Sequence, residues 1–359
     1  MKNVYFTAGP AELYPTFEKH LQTALDEQLG SISHRSQRFR DIYKFTVEQL
    51  RELLNIPESS GIFFVGSGSE VWERILLNCV EHESFHLVNG SFSKKFYEYA
   101  VSLHKYAHLL EKPFGQGFDY AQIEVPEYAE VICVTQNETS AGVQTREADI
   151  HKLKRGNAKK IVAVDMVSSA PQPALDFNLV DTAFFSVQKA FGLPAGLGVW
   201  IANERCLAKA ERLQKYDDFT IGGHHSLPVL WQNFQKYETP ATPNVLLIYL
   251  LGKIAEDFNR IGIETMRKET EEKAKTIYKL LENSGNFSPF VAEERHRSRT
   301  VIVANTQKPA AEIIAHGKKA GMVLGAGYGS FKDSQIRIAN FPATSWAQIE
   351  ALLAILKDV

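Results

Sequence analysis

The stretch FFSVQKAFGLPAG, residues 184–196, gives the strongest local indication of the fold. An apolar run ends at Gln188 and Lys189, and glycine and proline follow at once. This pattern is typical of a buried strand that stops at a turn, because glycine and proline interrupt regular structure. Lys189 therefore lies at the end of a strand. It is there either as an ordinary solvated lysine or as an amine held in place for chemistry.

Five further apolar runs of similar length lie in the first 203 residues, and helical patterns alternate with them. They are GIFFVG (61–66), FHLVNG (85–90), EVICVTQNE (130–138), KIVAVDMVSS (160–169) and GLGVWIAN (196–203). Strands that are apolar on both faces and alternate with helices predict an α/β fold with a mostly parallel sheet.

The pattern changes after about residue 243. A long helical stretch covers residues 244–282, with a bend expected near Ile261 and Gly262. A strand, a helix, a Gly-rich turn, a second strand and a last helix follow. This order predicts a compact α+β unit, and we place the domain boundary inside the helical stretch. The division gives a large domain over residues 1–257 and a small C-terminal domain over residues 258–359.

Composition and charge narrow the classes of function. The chain is 44% apolar and 23% charged, with a net charge of −2 and no basic tract. Neither nucleic acid nor an anionic membrane is therefore expected as a main partner, and small-molecule substrates are expected instead. The N-terminus lacks the apolar core of a signal peptide, and the longest apolar run is too short for a bilayer. These features predict a cytoplasmic protein.

The three cysteines are Cys79, Cys133 and Cys206. They are far apart and share no spacing that is typical of a zinc site or of a disulfide framework. No metal is therefore expected, and the low cysteine content fits a reducing compartment.

Polar residues collect at the ends of the predicted strands. VICVT is followed by QNETS, KIVAV ends at Asp165, and the quoted stretch ends at Lys189. Ligands of open α/β sheets bind at the carboxyl ends of the strands. Pyridoxal 5′-phosphate would account for the acid and the lysine together. A lysine amine forms a Schiff base with its aldehyde, and an acid pairs with its protonated ring nitrogen. Taken singly, each residue could also be an ordinary strand-end residue.

Three other positions are candidates for cofactor contacts. The segment GSGSE (66–70) opens a helix after a strand, where glycines and free N–H groups suit a phosphate. The same letters also fit a plain strand–helix turn with Ser69 as the N-cap. Phe92 could stack on a flat ring or be a core residue. Thr139 offers a hydroxyl for a ring substituent or for a turn.

Three motifs, TQNETSAGV, VDMVSSAP and SVQKAFGLPAGLG, occur in this order, with FTAGPAELYP at the start and SHRS at residues 33–36. In these motifs the chain resembles the class V aminotransferases over nearly its whole length. It most resembles the members that exchange an amino group between phosphoserine and 2-oxoglutarate. The resemblance implies the PLP-dependent transferase fold type I, with a large, mostly parallel seven-stranded sheet domain and a small C-terminal α+β domain. It also implies pyridoxal 5′-phosphate as cofactor and a homodimer with shared active sites.

The resemblance also implies roles for single residues around the cofactor. Lys189 matches the Schiff-base lysine, and Asp165 matches the acid at the pyridine nitrogen. Phe92 matches the ring that stacks on the cofactor, and Thr139 matches the residue that bonds the ring oxygen O3′. The contacts to the phosphate match Gly68, Ser69, Gln188 and, from the neighbouring subunit, Thr239. Phe92 stands in place of the family's usual tryptophan, and Glu238 stands in place of its usual asparagine.

On the substrate side, Arg337 in QIRIANF matches the arginine that binds the α-carboxylate. A guanidinium suits this task because it makes two parallel charge-assisted bonds. His34 and Arg35 match a pair that reaches the distal phosphate or carboxylate from the partner subunit. Many family members add a His-Arg pair shortly before the last arginine, and GAGYGSFKDSQ has none. The possible substitutes are Lys332, His296, Arg297 and Arg299.

The implied reaction converts 3-phosphohydroxypyruvate and glutamate to phosphoserine and 2-oxoglutarate by ping-pong transamination, as in serine biosynthesis. The missing His-Arg pair keeps open a class V relative that acts on alanine or serine with glyoxylate or pyruvate. A cysteine desulfurase would need a reactive cysteine on a mobile loop, and the three cysteines lie in strand or helix patterns. The intact set of Lys189, Asp165 and Arg337 argues against a binding protein without activity.

Overall fold

The computed structural model describes residues 2–216 and 219–359. Within these ranges, no helix combines the length and the apolar character that crossing a membrane requires. The helices are α1 (Phe17–Asp26), α2 (Gln37–Leu54), α3 (Gly68–Cys79), α4 (Ser91–Ser102), α5 (Glu147–Gly156), α6 (Glu204–Leu213), α7 (Leu227–Phe234), α8 (Val245–Ile261), α9 (Ile263–Glu282), α10 (Ala310–Lys319) and α11 (Trp346–Lys357).

The strands form a large sheet, a small sheet and a short hairpin. In chain order they are β1 (Val4–Phe6), β2 (Ser60–Val65), β3 (Glu83–Val88), β4 (Tyr106–Glu111), β5 (Val131–Thr135), β6 (Asn137–Glu138), β7 (Val143–Gln144), β8 (Ile161–Asp165), β9 (Thr182–Ser186), β10 (Gly198–Asn203), β11 (Phe287–Pro289), β12 (Val301–Thr306), β13 (Met322–Ala326) and β14 (Gln335–Ala339).

The large sheet has seven strands in the order β2-β10-β9-β8-β5-β3-β4. Strand β10 runs antiparallel to both of its neighbours, and every other pair is parallel. All residues of β5, β8 and β9 are buried, as expected for strands that are covered on both faces. The predicted α/β class and the mostly parallel seven-stranded sheet are confirmed.

The apolar pattern did not reveal the edge strand β4. Its residues are all exposed or half-buried, and Tyr106 is among the most exposed large hydrophobic side chains in the described residues. Only one neighbouring strand covers an edge strand, so its sequence YAHLLE lacks the continuous apolar run of the central strands.

The small sheet has five strands in the order β1-β13-β14-β12-β11. The N-terminal strand β1 pairs in parallel with β13, so this sheet is not built from C-terminal residues alone. Strand β13 lies in the stretch where the sequence pattern predicted only a Gly-rich turn. The division at residue 257 stays a prediction, and it falls within α8.

The predicted bend in the long helical stretch is confirmed. Helix α8 ends at Ile261, and α9 begins at Ile263. Between them Gly262 has φ = +90°, a backbone conformation that glycine adopts without the steric cost of a Cβ.

A buried carboxylate links the large sheet to two of its helices. Asp181 precedes β9 and accepts a hydrogen bond from Lys154 Nζ of α5 at 2.6 Å and from Arg205 of α6 at 2.7 Å. It also accepts from the backbone N–H of Val162 in β8 at 2.8 Å. Its side chain is only 2% exposed, so its negative charge depends on these partners.

We expect Asp181→Asn to lower the free energy of unfolding by about 3–5 kcal/mol, because the substitution leaves Lys154 buried without its counter-charge. Urea denaturation followed by circular dichroism measures the change. Asp176→Asn is the matched control, because Asp176 is exposed and its carboxylate accepts hydrogen bonds from Asn178 alone among the described residues. Equal urea midpoints for the two variants would contradict this role of Asp181.

Candidate active site

The two residues singled out at strand ends lie at the same edge of the large sheet. Strand β8 ends at Asp165, and the parallel neighbour β9 is followed by the turn that carries Lys189. Parallel strands bring their carboxyl ends to one edge, so the acid and the amine approach each other. Asp165 is 3% exposed and Lys189 is 9% exposed. Both charges are therefore largely removed from water.

Two donors hold the carboxylate of Asp165. Trp72 Nε1 of α3 donates to Oδ2 at 2.9 Å, and the N–H of Val167 donates to Oδ1 at 2.9 Å. Burial raises the pKa of Asp165 to about 6 against the lowering effect of these bonds. No cation lies within ion-pair distance of Asp165 in the described residues. The site therefore offers an oriented acid that can accept a cationic partner.

Lys189 is held by the N-terminal segment. Its ammonium donates to the carbonyl oxygen of Ala8. A Cβ on Gly9 would lie 2.5 Å from Lys189 Nζ, so glycine is needed there for the close approach of the backbone. Burial, and next the positive charge of Arg337, lower the pKa of Lys189 to about 8. Ala8 and Gly9 belong to the motif FTAGP, which the sequence analysis noted without giving either residue a role.

The turn before α3 differs in detail from the sequence prediction. Ser67, not Ser69, is the N-cap, because its Oγ accepts from the N–H of Glu70. The N–H of Gly68 donates to Ser186 Oγ at 2.8 Å, and a Cβ on Gly68 would lie 2.6 Å from Val167 Cγ2. Gly68 thus has a packing reason of its own. Ser69 is exposed in the first helical turn, where N–H groups have no acceptor within the helix.

A buried acid that the sequence analysis did not single out fixes two of the candidate residues. Glu138 is fully buried and accepts from the N–H groups of Phe92, Ser93 and Ser140. It thereby ties the start of α4, with Phe92, to the turn that carries Thr139. Because Glu138 has no cation among these partners, the hydrogen bonds alone compensate for its burial.

Arg337 lies among these residues. It projects from β14, its Nε donates to the carbonyl oxygen of Ala326 at 2.8 Å, and one terminal nitrogen lies 3.4 Å from the carbonyl oxygen of Thr139. Its guanidinium carbon is 5.4 Å from the ring centroid of Tyr328, and that ring is 5.3 Å from the ring of Phe92. Arg337, Thr139 and Phe92 are therefore brought together, and Tyr328 joins them.

A second group of candidate residues surrounds Glu238. Its carboxylate accepts from Arg35 at 2.9 Å and from Arg40 Nε at 3.0 Å. The next residue, Thr239, is buried and donates through Oγ1 to the carbonyl oxygen of Ala241 at 2.8 Å. Glutamate in place of the family's usual asparagine at position 238 thus has a structural reason, because its negative charge offsets the positive charges of Arg35 and Arg40. The hydrogen bond from Arg40 is the largest cause that lowers the pKa of Glu238.

Two further candidates have less definite surroundings. Gln188 is half-buried, and its carbonyl oxygen accepts from the N–H of Ala11 at 3.1 Å. His34 is also half-buried, next to the exposed Arg35. Their predicted roles at the phosphate and at the distal anion stay predictions.

The four proposed substitutes for the missing His-Arg pair are engaged elsewhere or point to solvent. Arg297 donates to Glu282, and Arg299 lies 3.5 Å from Glu147. His296 is buried against Gly117, and Lys332 is exposed at the end of a short turn. None of these contacts joins the group around Arg337.

The three cysteine thiols are free and buried. Burial raises the pKa of Cys133. A nucleophilic cysteine needs the opposite shift and access to solvent. These surroundings do not suit desulfurase chemistry.

Comparisons with known proteins agree with this arrangement. The family model of class V aminotransferases matches residues 114–328. A phosphoserine aminotransferase from a Nocardioides species is 27% identical over 97% of this chain and 92% of its own length. The solved structure of a phosphoserine aminotransferase from Cytophaga hutchinsonii is 48% identical, with a TM-score of 0.97 over 99% of this chain and 98% of that chain.

A more distant solved structure shares the fold. The alanine–glyoxylate aminotransferase of a Nostoc species has a TM-score of 0.86 at 17% identity and covers 100% of this chain and 95% of its own. The family model matches more than half of the residues, and the motifs and the fold agree with it. The chain belongs to the class V aminotransferase family.

Proposed function

We propose that this chain is a pyridoxal 5′-phosphate-dependent phosphoserine aminotransferase. It would convert 3-phosphohydroxypyruvate and glutamate to phosphoserine and 2-oxoglutarate, a step of serine biosynthesis. The observation that carries the proposal is the pair Asp165 and Lys189 at one edge of the large sheet, with Arg337 of the small sheet close enough to lower the pKa of Lys189. The chain is also 48% identical to the Cytophaga hutchinsonii phosphoserine aminotransferase. As further parts of the proposal, the enzyme is a cytoplasmic homodimer with shared active sites.

The buried groups suit the cofactor. When bound, pyridoxal 5′-phosphate supplies an aldehyde that condenses with amines and a ring that withdraws electrons from the substrate Cα. Asp165 would accept a hydrogen bond from the protonated ring nitrogen, which gives its buried charge a counter-ion. Phe92 would pack on the ring, and Thr139 would bond its O3′ oxygen. The α3 N-terminus with Gly68 and Ser69, Gln188, and Thr239 of the partner subunit would hold the phosphate.

Lys189 is proposed as the group that moves the proton. A general base works best when its pKa is near the working pH, and the pKa of Lys189 is lowered to about 8. About a tenth of such amines are neutral at pH 7. With its amine beside the substrate Cα, Lys189 would take the proton from that carbon and deliver it to the C4′ atom of the cofactor.

Arg337 would orient the substrate through its α-carboxylate. Its Nε is held by Ala326 and one terminal nitrogen contacts Thr139, so the other N–H groups of the two terminal nitrogens remain for a bidentate contact. His34 and Arg35 of the partner subunit would bind the distal phosphate or carboxylate. Glutamate and phosphoserine both carry the two anionic groups that this arrangement requires, whereas alanine and serine carry one.

The amine of Lys189 should titrate near pH 8 in the apoprotein, because burial and Arg337 disfavour its protonated form. Since the lowered pKa leaves the reactive neutral amine abundant above pH 8, the rate of cofactor incorporation should rise through pH 8 and then level off. Stopped-flow absorbance measures this rate, and Arg337→Met should shift the midpoint upward. A midpoint near 10.5, the ordinary lysine value, would contradict the assignment.

Substrate choice tests the function itself. We expect kcat/KM for phosphoserine with 2-oxoglutarate to exceed that for serine by roughly 10- to 1000-fold, since serine lacks the distal anion. Half-reactions followed by absorbance with phosphoserine, serine, alanine and glutamate give the comparison. If alanine or serine with glyoxylate or pyruvate turns over faster than phosphoserine with 2-oxoglutarate, the chain is instead a class V aminotransferase that acts on alanine or serine.

Mixing two inactive variants tests the shared site. Subunits with Lys189→Ala and subunits with Arg35→Ala, unfolded and refolded together, should recover about a quarter of the wild-type activity, because half of the dimers are hybrids with one intact site. Each variant refolded alone is the control. No recovery in a mixture that sizing shows to be dimeric would refute the sharing of Arg35.

A further inference from the structure

Two cations share one aromatic ring at the edge of the candidate site. Lys95 Nζ lies 5.9 Å from the ring centroid of Tyr328, and the guanidinium carbon of Arg337 lies 5.4 Å from the same centroid. Lys95 Nζ is also 5.6 Å from the ring of Phe92 and donates to Tyr328 Oη at 3.3 Å. We call these four residues the Tyr328 cluster.

The two cations of the Tyr328 cluster lack carboxylate partners. In the part of the chain that the structure describes, neither has an acid within ion-pair distance. Their polar contacts are the Tyr328 hydroxyl for Lys95 and carbonyl oxygens for Arg337. Unlike Arg35 and Arg40, which share Glu238, they leave a local positive charge that an incoming dianion could neutralise.

The position of Tyr328 is fixed by its own segment. Tyr328 lies in GAGYGSFKDSQ, the stretch that lacks the His-Arg pair. The N–H of Gly327 donates to the carbonyl oxygen of Gln335 at 2.7 Å, and a Cβ on Gly327 would lie 2.2 Å from the carbonyl oxygen of Phe331. This tight turn directs Tyr328 toward Arg337, and helix α4, which packs on the large sheet, brings Lys95 to it.

Resting on the proposed function, we propose that Lys95 and Tyr328 form the subunit's own binding site for the distal anion of the substrate, in place of the missing His-Arg pair. Arg337 holds the α-carboxylate, and Lys95 supplies the second positive charge. The Tyr328 hydroxyl accepts from Lys95 and keeps its own proton for donation to a phosphate or carboxylate oxygen. Lys95 is exposed and long, so it can follow anions of different size.

Three variants of the holoenzyme test this assignment. Lys95→Gln removes the charge, and Tyr328→Phe keeps the ring beside Arg337 but removes the hydroxyl. Lys94→Gln is the matched control, because Lys94 is an exposed neighbour on the same helix whose side chain makes no hydrogen bond or ion pair within the described residues. Kinetics are measured with phosphoserine, glutamate and alanine. Binding of two unreactive acids, glutarate with two carboxylates and butyrate with one, is measured by calorimetry.

We expect Lys95→Gln to lower kcat/KM for phosphoserine and glutamate about 5- to 50-fold, mainly through KM, and to leave alanine within about twofold. Tyr328→Phe should lower kcat/KM for phosphoserine and glutamate about 2- to 10-fold, again with little change for alanine. Glutarate should bind more weakly to both variants, while butyrate binding and the Lys94→Gln enzyme stay unchanged. Equal losses for alanine, or no loss for glutarate, would overturn the assignment.

The outcomes separate this inference from the proposed function. A wild-type enzyme that prefers alanine to phosphoserine would refute the function, whatever the variants do. The glutarate-to-butyrate binding ratio would still report whether Lys95 binds a distal anion. If the wild-type enzyme prefers phosphoserine but Lys95→Gln lowers kcat/KM equally for phosphoserine, glutamate and alanine, only the inference about Lys95 is refuted.

Discussion

The burial of two opposite charges at one sheet edge is the constraint on which the active site depends. Asp165 and Lys189 are both largely hidden from water, and yet they do not form a direct ion pair with each other. Each is held by neutral partners instead, Trp72 and Val167 on one side and Ala8 on the other. A charge without a counter-ion is costly in such surroundings. In the proposed function this cost would fall, because the cofactor would supply a positive ring nitrogen to the acid and bond to the amine.

Three other acids are each compensated by hydrogen bonds or by cations. Glu138 is buried and satisfied by N–H groups, Glu238 is shared by two arginines, and Asp181 binds Lys154 and Arg205 away from the site. Arg337 and Lys95 remain without acids among the described residues. The positive charge that is left unmatched thus lies where the proposed function would place the doubly anionic substrate.

Much of the fold followed from the sequence, and the exceptions have physical reasons. Continuous apolar runs revealed the central strands because both faces of those strands are covered. The edge strand β4 gave no such run, and the short apolar run of β13 lies among glycines that favour a turn. Strand β1 joins the small sheet across more than 300 residues of chain. Strand-end position singled out Asp165 and Lys189 as candidates, and the structure places both at one edge of the large sheet. Trp72, Glu138, Lys95 and Tyr328 act through contacts between distant segments, which no local pattern encodes.

The central claim is that Lys189 is the amine that bonds the cofactor. Reducing the holoenzyme with borohydride, digesting it and sequencing the labelled peptide by mass spectrometry tests this claim most directly. We expect one pyridoxyl group per chain, on Lys189 within the peptide that contains FFSVQKAFG. A pyridoxyl group on another lysine, or a holoenzyme that takes up no label, would contradict it.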